Sequence, residues 1–366
     1  MKIAYLNTVF KENSVSGGST HIREFINHVT ALGHTIYVGK YNFHPKALQI
    51  DERIFSRIKT LLQCDVIYTR YQGNMTQSMM LSKFPLKNLT RHAINIWEFN
   101  ALPIYALTKG KGENEVNRQI NLLRNEAITS DMAVCVSETM ANYVKSVLKW
   151  KNVIVIPNGS NPEHFKPGLH IPERMTFFEE NLNIVWAGSL RLNWSHTELL
   201  LKTAHKFWSS GNKKILFHLI GQHPMYLSKV IPPNVFLYGS QPYNDLPNWL
   251  SAMDIGLILY KDKLNNYGSP IKLFDYLANG LSVISTPQPQ VKDILSDIGF
   301  ENFVLRDESS DELFEKIMIL AKNKGILDKF KKFGRKLIVD KYNWENSFKK
   351  LLNKIEQLVN DGKRTG

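Results

Sequence analysis

The chain has 366 residues, of which 43% are hydrophobic and 22% are charged, and its formal net charge is +13 at pH 7. This composition is typical of a folded protein with room for two domains, each with its own core. No apolar run reaches the roughly 18 to 20 residues that span a bilayer, and the N-terminal segment KIAYLN lacks the features of a signal peptide. We therefore expect a cytoplasmic protein.

The basic charge predicts an anionic partner and is spread over the whole chain. Residues 1–170 carry 20 Lys and Arg against 12 Asp and Glu, and residues 171–366 carry 26 against 21. No basic tract alternates with aromatic residues and no zinc-finger spacing occurs, so nucleic acid is not expected. Peripheral contact with an anionic membrane, together with a phosphorylated substrate, fits better. A basic protein with no anionic partner is the alternative.

The first segments predict a strand, a helix and a second strand. KIAYLN is a buried strand, and the later run SGGSTHIREFINHVTALGHTIYV supplies an amphipathic helix and the next strand. Gly17 and Gly18 are predicted to form a loop before this helix, with Ser19 as its N-cap and Gly33 at its end. The amides of such a loop can approach a phosphate or a sugar closely, although a plain tight turn is the alternative.

The next two strands end in polar side chains. They are CDVIYTRY (64–71) and AINIWEF (93–99), with helical material predicted between them, and Asn100 follows the second strand. Ligands of open α/β sheets bind at the carboxyl ends of the strands. Glu98 and Asn100 are therefore candidates for a site at this edge. Cys64 and Cys135 lie in apolar, strand-like segments and are predicted to be buried free thiols.

Strands and helices alternate up to NVIVIPNG (152–159), which predicts a parallel, doubly wound sheet. Residues 160–181 lack periodicity and contain three prolines, so we place an interdomain linker there. The β/α pattern starts again at Asn183, and a long amphipathic helix closes the chain. The pattern predicts two α/β domains, residues 1–165 and 180–340, followed by a C-terminal helix in residues 341–366.

The run NNYGSPIKLFDYLANGLSVIST (265–286) contains a well-marked helix. Ser269 is predicted to be its N-cap and Pro270 its first residue, because proline lacks an N–H that would be unpaired at that position anyway. The helix is expected to end at Gly280, which can adopt the left-handed conformation, before the strand SVIST.

Lys272 and Asp275 lie three residues apart on the polar face of this helix, so their replacement is expected to leave the fold intact. A helix N-terminus with a nearby lysine attracts phosphate. One turn later a carboxylate can accept both hydroxyls of a ribose. The helix therefore predicts a nucleoside diphosphate site, and a surface helix with a solvated Lys and Asp is the alternative.

The order of these signals resembles that of the GT-B glycosyltransferases, specifically the family 4 (glycosyl transferases group 1) retaining enzymes that use nucleotide sugars. The resemblance covers nearly the whole chain, and the number and order of its motifs make it specific. It rests on these runs: SGGSTHIREFINHVTALGHTIYV, VIYTRY, WEFNALP, NEAITSDMAVCVSETM, VIVIPNGSNPEHFKP, WAGSLR, VFLYGSQPYNDLPNWLSAMDIGLILY, SPIKLFDYLANGLSVIST and YNWENSF.

The resemblance implies a GT-B fold, in which two Rossmann-like doubly wound α/β domains face a central cleft. It implies that residues 1–165 bind the acceptor, that residues 180–340 bind the nucleotide sugar, and that the C-terminal helix packs back on the N-terminal domain. The implied reaction moves a sugar from a nucleoside diphosphate donor to a glycan or lipid-linked acceptor with retention, in surface polysaccharide biosynthesis. No cofactor is implied, and no metal is expected because a D-x-D motif is missing from the sequence.

The resemblance also assigns roles to individual residues. The implied catalytic residues are Arg191, Lys272 and Glu98. The residues implied to bind the donor nucleotide are Asp275, Gly268, Ser269, Gly239 and Gly188. The residues implied to form the phosphate and acceptor loop are Gly17, Gly18, His21 and Asn100.

Two departures from the family pattern bear on the donor sugar and on activity. Tyr267 occupies the first acidic position of the E-x7-E motif, and Ser195 and His196 lie where a second lysine is usual. A non-catalytic nucleotide-sugar-binding protein and a nucleotide-sugar epimerase are therefore the alternatives. For His21, a helix-packing role is also open, and Trp186 is predicted to be a core residue rather than a sugar-stacking one.

Overall fold

The structure is a computed structural model that describes residues 1–8, 16–39, 44–51, 53–73, 93–178, 180–192, 194–261 and 266–364. The helical material predicted between the strands at 64–71 and 93–99, and the first residue of the 265–286 run, lie largely outside these residues. The chain forms two compact units. Unit 1 contains residues 1–157, 267–269 and 344–366, and unit 2 contains residues 158–266 and 270–343.

Parallel sheets form the centre of each unit. The described strands are β1 Lys2–Leu6, β2 Thr35–Val38, β3 Leu48–Gln49, β4 Val66–Tyr71, β5 Ile94–Phe99, β6 Met132–Cys135, β7 Val153–Val155, β8 Leu182–Ala187, β9 Ile215–Ile220, β10 Val235–Gly239, β11 Ile255–Ile258 and β12 Ser282–Ser285. Unit 1 has the order β3-β2-β1-β4-β5-β6-β7, and unit 2 has the order β10-β9-β8-β11-β12. The described pairs are all parallel, which confirms the predicted α/β fold class.

Helices connect the strands. The described α-helices are α1 Gly17–Ala31, α2 Ile54–Leu62, α3 Glu113–Ala127, α4 Glu138–Ser146, α5 Thr197–Ser209, α6 Leu246–Leu250, α7 Ile271–Ala278, α8 Pro289–Ser296, α9 Ser310–Lys322, α10 Lys324–Asp340 and α11 Trp344–Arg364. None of the helices in the described segments is both long enough and apolar enough to cross a bilayer.

The C-terminal helix α11 belongs to unit 1, where it packs on α1. Its aromatic residues make the contact: the Trp344 ring lies edge-on to His21, with centroids 5.4 Å apart, and Phe348 lies edge-on to Phe25 at 5.3 Å. Trp344 and Phe348 are each about 1% exposed. Burial of these large rings fixes the last helix on the first one.

Helix α1 begins earlier than the sequence predicts. Its N-cap is Ser16, whose hydroxyl accepts a hydrogen bond from the Ser19 N–H, so the prediction that Ser19 is the cap was wrong. Gly17 and Gly18 are consequently in the first helical turn and are exposed, not part of a loop before the helix. Ser16 caps the helix because its hydroxyl reaches the Ser19 N–H, which lacks a partner within the helix. Glycines in the first turn of a helix reduce its stability only slightly.

Helix α7 is buried on nearly all sides, although it reads as amphipathic. Its N-cap is Pro270, with no side-chain cap bond, so the predicted Ser269 cap was wrong. Its end is as predicted, since Gly280 follows it with a φ of +80°. Two glycines let its neighbours approach: a Cβ on Gly256 of β11 would lie 2.2 Å from the Tyr276 ring, and one on Gly334 of α10 would lie 2.9 Å from Leu277.

The two cysteines are buried and free, as predicted. Burial raises the pKa of the Cys64 thiol to about 11. Burial likewise raises the pKa of Cys135 well above its ordinary value. Thiols of this kind stay protonated at neutral pH and act as small apolar core groups.

Candidate functional site

Three strand ends in unit 2 meet through backbone hydrogen bonds. The Gly188 N–H, just after β8, donates to the Ile220 carbonyl at 2.8 Å, and the Gly221 N–H, just after β9, donates to Gly239 at 2.8 Å. Gly188 and Gly221 have φ of +143° and +142°, and a Cβ on Gly221 would lie 2.0 Å from the Gly188 carbonyl oxygen. Only glycine permits this close approach. The carboxyl edge of the sheet is therefore built from bare backbone.

Lys272 reaches this edge from the first turn of α7. Its Nζ lies 3.7 Å from the centroid of the Trp186 ring and 5.4 Å from that of Tyr260. A Cβ placed on Gly188 would lie 3.0 Å from the same Nζ, so the glycine leaves room for the ammonium. The helix, the end of β8 and the second residue after β11 thus converge on one cation.

The charge of Lys272 has no anionic partner among the residues that the structure describes. No carboxylate there lies within 4.0 Å of its Nζ. Burial lowers the pKa of Lys272 from its ordinary 10.5 to about 7. Ring faces give such a cation some stabilisation, but far less than water or a carboxylate would. The site is therefore suited to an anionic ligand that replaces the missing charge.

Asp275 is buried. The prediction that it shares a polar, solvated face of the helix with Lys272 was therefore wrong. Asp275 is 7% exposed, and one carboxylate oxygen accepts a hydrogen bond of 2.6 Å from the Ser160 hydroxyl. Ser160 is itself completely buried, and its backbone N–H donates to Tyr342. Residues far away in sequence surround this face of α7, which the helical spacing alone does not reveal.

The other residues predicted for the donor are placed as follows. Arg191 is exposed in the loop after β8, where its backbone N–H donates to the Ser189 hydroxyl at 3.3 Å. Gly239 ends β10 with a φ of +69° and open space around a virtual Cβ. Gly268 and Ser269 group with unit 1. Of the predicted donor residues, Lys272 and Gly188 are in direct proximity.

The residues at the two departures from the family pattern, Tyr267 and the pair Ser195 and His196, contact neighbouring parts of the protein. The Tyr267 carbonyl accepts a hydrogen bond of 2.7 Å from Ser137, and its ring lies edge-on to Tyr143 at 5.7 Å. Ser195 donates to the Ser189 carbonyl at 2.8 Å, and His196 caps α5. These side chains hold loops in place.

In unit 1, Glu98 lies in a buried polar cluster at the carboxyl end of the sheet. Its carboxylate accepts hydrogen bonds from Tyr5 at 2.8 Å and from Arg70 at 2.9 Å, and His21 Nε2 lies 2.5 Å from the same carboxylate. The four residues are each at most 4% exposed. The register places Arg70 beside Glu98 on adjacent strands, and α1 brings His21 to them.

The cluster keeps Glu98 ionised. Burial alone would raise the pKa of Glu98, but the charges of Arg70 and His21, with hydrogen bonds from His21 and Asn100, hold it well below its ordinary value. His21 and Asn100 thus meet at Glu98. Gly17 and Gly18 lie one turn before His21 on the exposed start of α1.

Sequence reasoning did not assign functional roles to Tyr5, Arg70 and Trp186. Arg70 and Tyr5 are strand residues whose partner in the neighbouring strand becomes visible only in the sheet register. Trp186 was predicted to be a core residue and is 2% exposed, but its ring also contacts the ammonium group of Lys272. The only sequence signal for it is its position two residues before Gly188, at a strand end.

The structure also contains a cavity away from the predicted site. It has a volume of about 680 Å³, lies in unit 2 and is lined by Gln288, Arg306, Lys316 and others, none of which is a predicted site residue. Within the segments that the structure describes, no group of three His, Cys, Asp or Glu side chains is arranged to hold a metal ion.

Comparison with known proteins finds a family model that matches part of unit 2. Residues 181–323 match the family model described as glycosyl transferases group 1. An uncharacterised glycosyltransferase from Methanocaldococcus jannaschii is 19% identical over 238 residues, which is 63% of this chain. The matched stretch spans 59% of that relative's length.

Solved structures share the fold over nearly the whole chain. HepE of Anabaena, solved in complex with UDP and glucose, has a TM-score of 0.70 at 11% identity, covering 97% of this chain and 99% of its own. WaaG, a glycosyltransferase involved in lipopolysaccharide biosynthesis, has a TM-score of 0.64 at 13% identity, with 95% and 98% covered. The predicted resemblance to the GT-B glycosyltransferases and their fold is confirmed.

Proposed function

We propose that this chain, which has the GT-B fold and carries a glycosyl transferases group 1 domain, moves a sugar from a nucleoside diphosphate donor to a glycan or lipid-linked acceptor with retention of configuration. In this proposal, unit 2 binds the donor nucleotide and unit 1 binds the acceptor. HepE, which has the same fold, was solved with UDP and glucose, and this supports a donor of that class.

The observation that carries the proposal is the position of Lys272. Its ammonium group lies on aromatic rings at the carboxyl edge of the unit 2 sheet and has no carboxylate partner in the described chain. As the bond to the sugar breaks, negative charge develops on the departing diphosphate. A preorganised cation in a poorly solvated place stabilises that charge without a metal ion. Arg191, exposed in the loop after β8, supplies a second cation.

The proposal includes further donor contacts. We assign the ribose hydroxyls to Asp275, which follows Lys272 by one turn of α7 and whose carboxylate can accept several hydrogen bonds. Gly188 and Gly239, both with positive φ, allow the backbone to approach the nucleotide closely. The amides of Gly268 and Ser269 are assigned to the donor as well.

On the acceptor side, Glu98 is the proposed catalytic carboxylate, because it is held ionised in a buried cluster at a sheet edge. His21 and Asn100 orient it. Gly17 and Gly18 leave the first amides of α1 open to a phosphate or a sugar.

The proposed cellular role is the assembly of a surface polysaccharide. It is supported by the likeness to WaaG, which is involved in lipopolysaccharide biosynthesis. The net charge of +13 is compatible with a cytoplasmic protein that associates peripherally with the anionic inner face of a membrane.

The test is turnover with a panel of nucleotide sugars and candidate acceptors, followed by release of the nucleoside diphosphate. Release that requires an acceptor supports transfer. Lys272→Ala is expected to lower turnover at least about tenfold, because an interaction with a developing charge is removed. Lys202→Ala is the matched control, since Lys202 pairs with Glu198 on the surface of α5 and is expected to have no effect.

A non-catalytic nucleotide-sugar-binding protein is the second candidate. It is favoured by Tyr267, which is in a position that is acidic in the family pattern and which packs structurally against Tyr143. Binding of a nucleotide sugar without turnover on any acceptor supports this candidate and contradicts the first.

A further inference from the structure

Trp186 has an unpaired polar group next to Lys272. Its side chain is 2% exposed, and its indole N–H has no hydrogen-bond partner among the residues that the structure describes. A buried donor without an acceptor is costly and is rare in folded proteins. An acceptor supplied by a ligand removes this cost.

The bare backbone at Gly188 brings the indole nitrogen and the ammonium to the same place. A Cβ on Gly188 would lie 3.0 Å from Lys272 Nζ and 3.9 Å from Trp186 Nε1. Both nitrogens are donors and neither is an acceptor. Two donors beside one bare strand end suit a ligand group with several oxygens that carry electron pairs, preferably a charged group.

The chemistry of this place points to a phosphate group. A cation is excluded there by the ammonium, and a neutral hydroxyl would leave the partly buried charge of Lys272 without compensation. A phosphate group has oxygens for both donors and brings the negative charge that is missing among the described residues.

We propose that the Trp186 indole N–H donates a hydrogen bond to the phosphate group that Lys272 binds, so that Trp186 is a ligand-binding residue as well as a ring beneath the lysine. This inference rests on the proposed donor site. It adds a second function to a residue that sequence patterns assign to the core.

The test removes the N–H and keeps an aromatic ring. Trp186→Phe is titrated with UDP, GDP, ADP, CDP and dTDP, of which the tightest binder to the unmodified protein is then used. A hydrogen bond to a charged group is lost, so affinity is expected to fall about ten- to hundredfold. Unchanged affinity in a folded Trp186→Phe protein overturns the inference.

Trp150→Phe is the matched control. Trp150 is 4% exposed in the core of unit 1, and its indole N–H also has no partner in the described chain. The same atoms are removed, but no ligand is proposed there, so nucleotide affinity is expected to stay within about twofold of the unmodified value. An equal loss of affinity in both variants attributes the effect to general destabilisation and overturns the inference.

Phenylalanine is also a weaker partner for the ammonium than tryptophan, so an indirect effect through Lys272 must be separated. Trp186→Phe is therefore repeated in a Lys272→Met protein. A further loss of affinity there supports a direct bond to the ligand. No further loss shows that Trp186 acts only through the lysine, which contradicts the proposal.

A direct readout comes from the indole N–H resonances in an NMR spectrum of the protein labelled with ¹⁵N-tryptophan, assigned with the Trp186→Phe variant. Nucleoside diphosphate is expected to move the Trp186 signal downfield and to leave the Trp150 signal in place. Binding without any shift at Trp186 overturns the inference and leaves the proposed function intact. If none of the nucleotides binds to the unmodified protein, the proposed function fails, and this inference fails with it.

Discussion

At the scale of single residues, Lys272 combines partial burial, aromatic contact and the lack of a described carboxylate partner. Partial burial without a carboxylate partner is unfavourable for a lysine with a purely structural role, because a structural cation is normally solvated or paired. A ligand that supplies negative charge removes this cost. The residue should therefore leave a signature in the stability of the ligand-free protein.

The first prediction concerns the dependence of stability on pH. Burial lowers the pKa of Lys272 in the folded protein from 10.5 to about 7. Between these values the unfolded chain binds more protons than the folded one, so the free energy of unfolding rises with pH. Urea denaturation at pH 7 and pH 9 is expected to show this rise, and Lys272→Met should show a smaller one. An identical rise in both proteins contradicts the burial of the charge.

The second prediction concerns Asp275. Asp275→Ala leaves the buried Ser160 hydroxyl without its acceptor and is expected to cost about 1–3 kcal/mol of stability. It is also expected to weaken nucleoside diphosphate binding about ten- to hundredfold through loss of the ribose contacts. Denaturation and titration of the same preparation measure the two effects.

Ser160→Ala separates the two roles of Asp275. It removes the same internal hydrogen bond but keeps the carboxylate, so it should lower stability and leave most of the nucleotide affinity. If Asp275→Ala binds nucleotide as tightly as the unmodified protein, α7 does not hold the ribose.

At the scale of elements, α7 is seated more deeply than its sequence indicates. Gly256 in β11 and Gly334 in α10 leave space for Tyr276 and Leu277 of the helix. The Tyr276 hydroxyl accepts a hydrogen bond of 2.8 Å from the Ala187 N–H at the end of β8. The packing of α7 and the position of the β8 end beside Lys272 are therefore linked.

The third prediction tests this packing. Gly256→Ala places a Cβ 2.2 Å from the Tyr276 ring, so the helix must shift, and a loss of about 1–3 kcal/mol of stability is expected. Because the Tyr276 hydroxyl also accepts a hydrogen bond from Ala187 at the end of β8, next to Gly188, nucleotide affinity should fall too. Gly18→Ala, with open space around its Cβ, is the control and should change stability by less than about 1 kcal/mol. Thermal and chemical denaturation of both variants give the comparison.

At the scale of the whole molecule, the proposal assigns the charge of the departing diphosphate to protein groups. The fourth prediction is that turnover survives treatment with EDTA, because Lys272, Arg191 and backbone amides replace a cation. Turnover is measured before and after chelation, with and without added magnesium or manganese. Complete loss on chelation that either metal restores would count against the assignment.

The fifth prediction concerns the net charge of +13. Each basic residue near an anionic surface contributes about 1 kcal/mol, and salt screens this contribution. Weak, salt-sensitive flotation with anionic liposomes is therefore expected, and neutral liposomes serve as the control. Absence of binding to anionic liposomes at low salt rules out the membrane association.

Much of the fold is predictable from sequence, because the relevant signals are local. Alternating strand and helix patterns predict both parallel sheets, and glycine at position 280 predicts the end of α7. The exact helix starts are less predictable. Serine is a good cap at both position 16 and position 19. The cap is Ser16 because its hydroxyl accepts a hydrogen bond from the Ser19 N–H in the folded helix.

Local patterns in the chain establish its α/β class, its family resemblance and the position of Lys272 in the first turn of a helix. They do not reveal that Trp186 and Gly188 lie at that lysine, that Ser160 donates to Asp275, or that Arg70 and His21 meet at Glu98, which the folded structure shows. The physical reason is range. Capping and periodicity act within a few residues, whereas burial, ion pairing and unpaired donors depend on groups that folding brings together from distant parts of the chain.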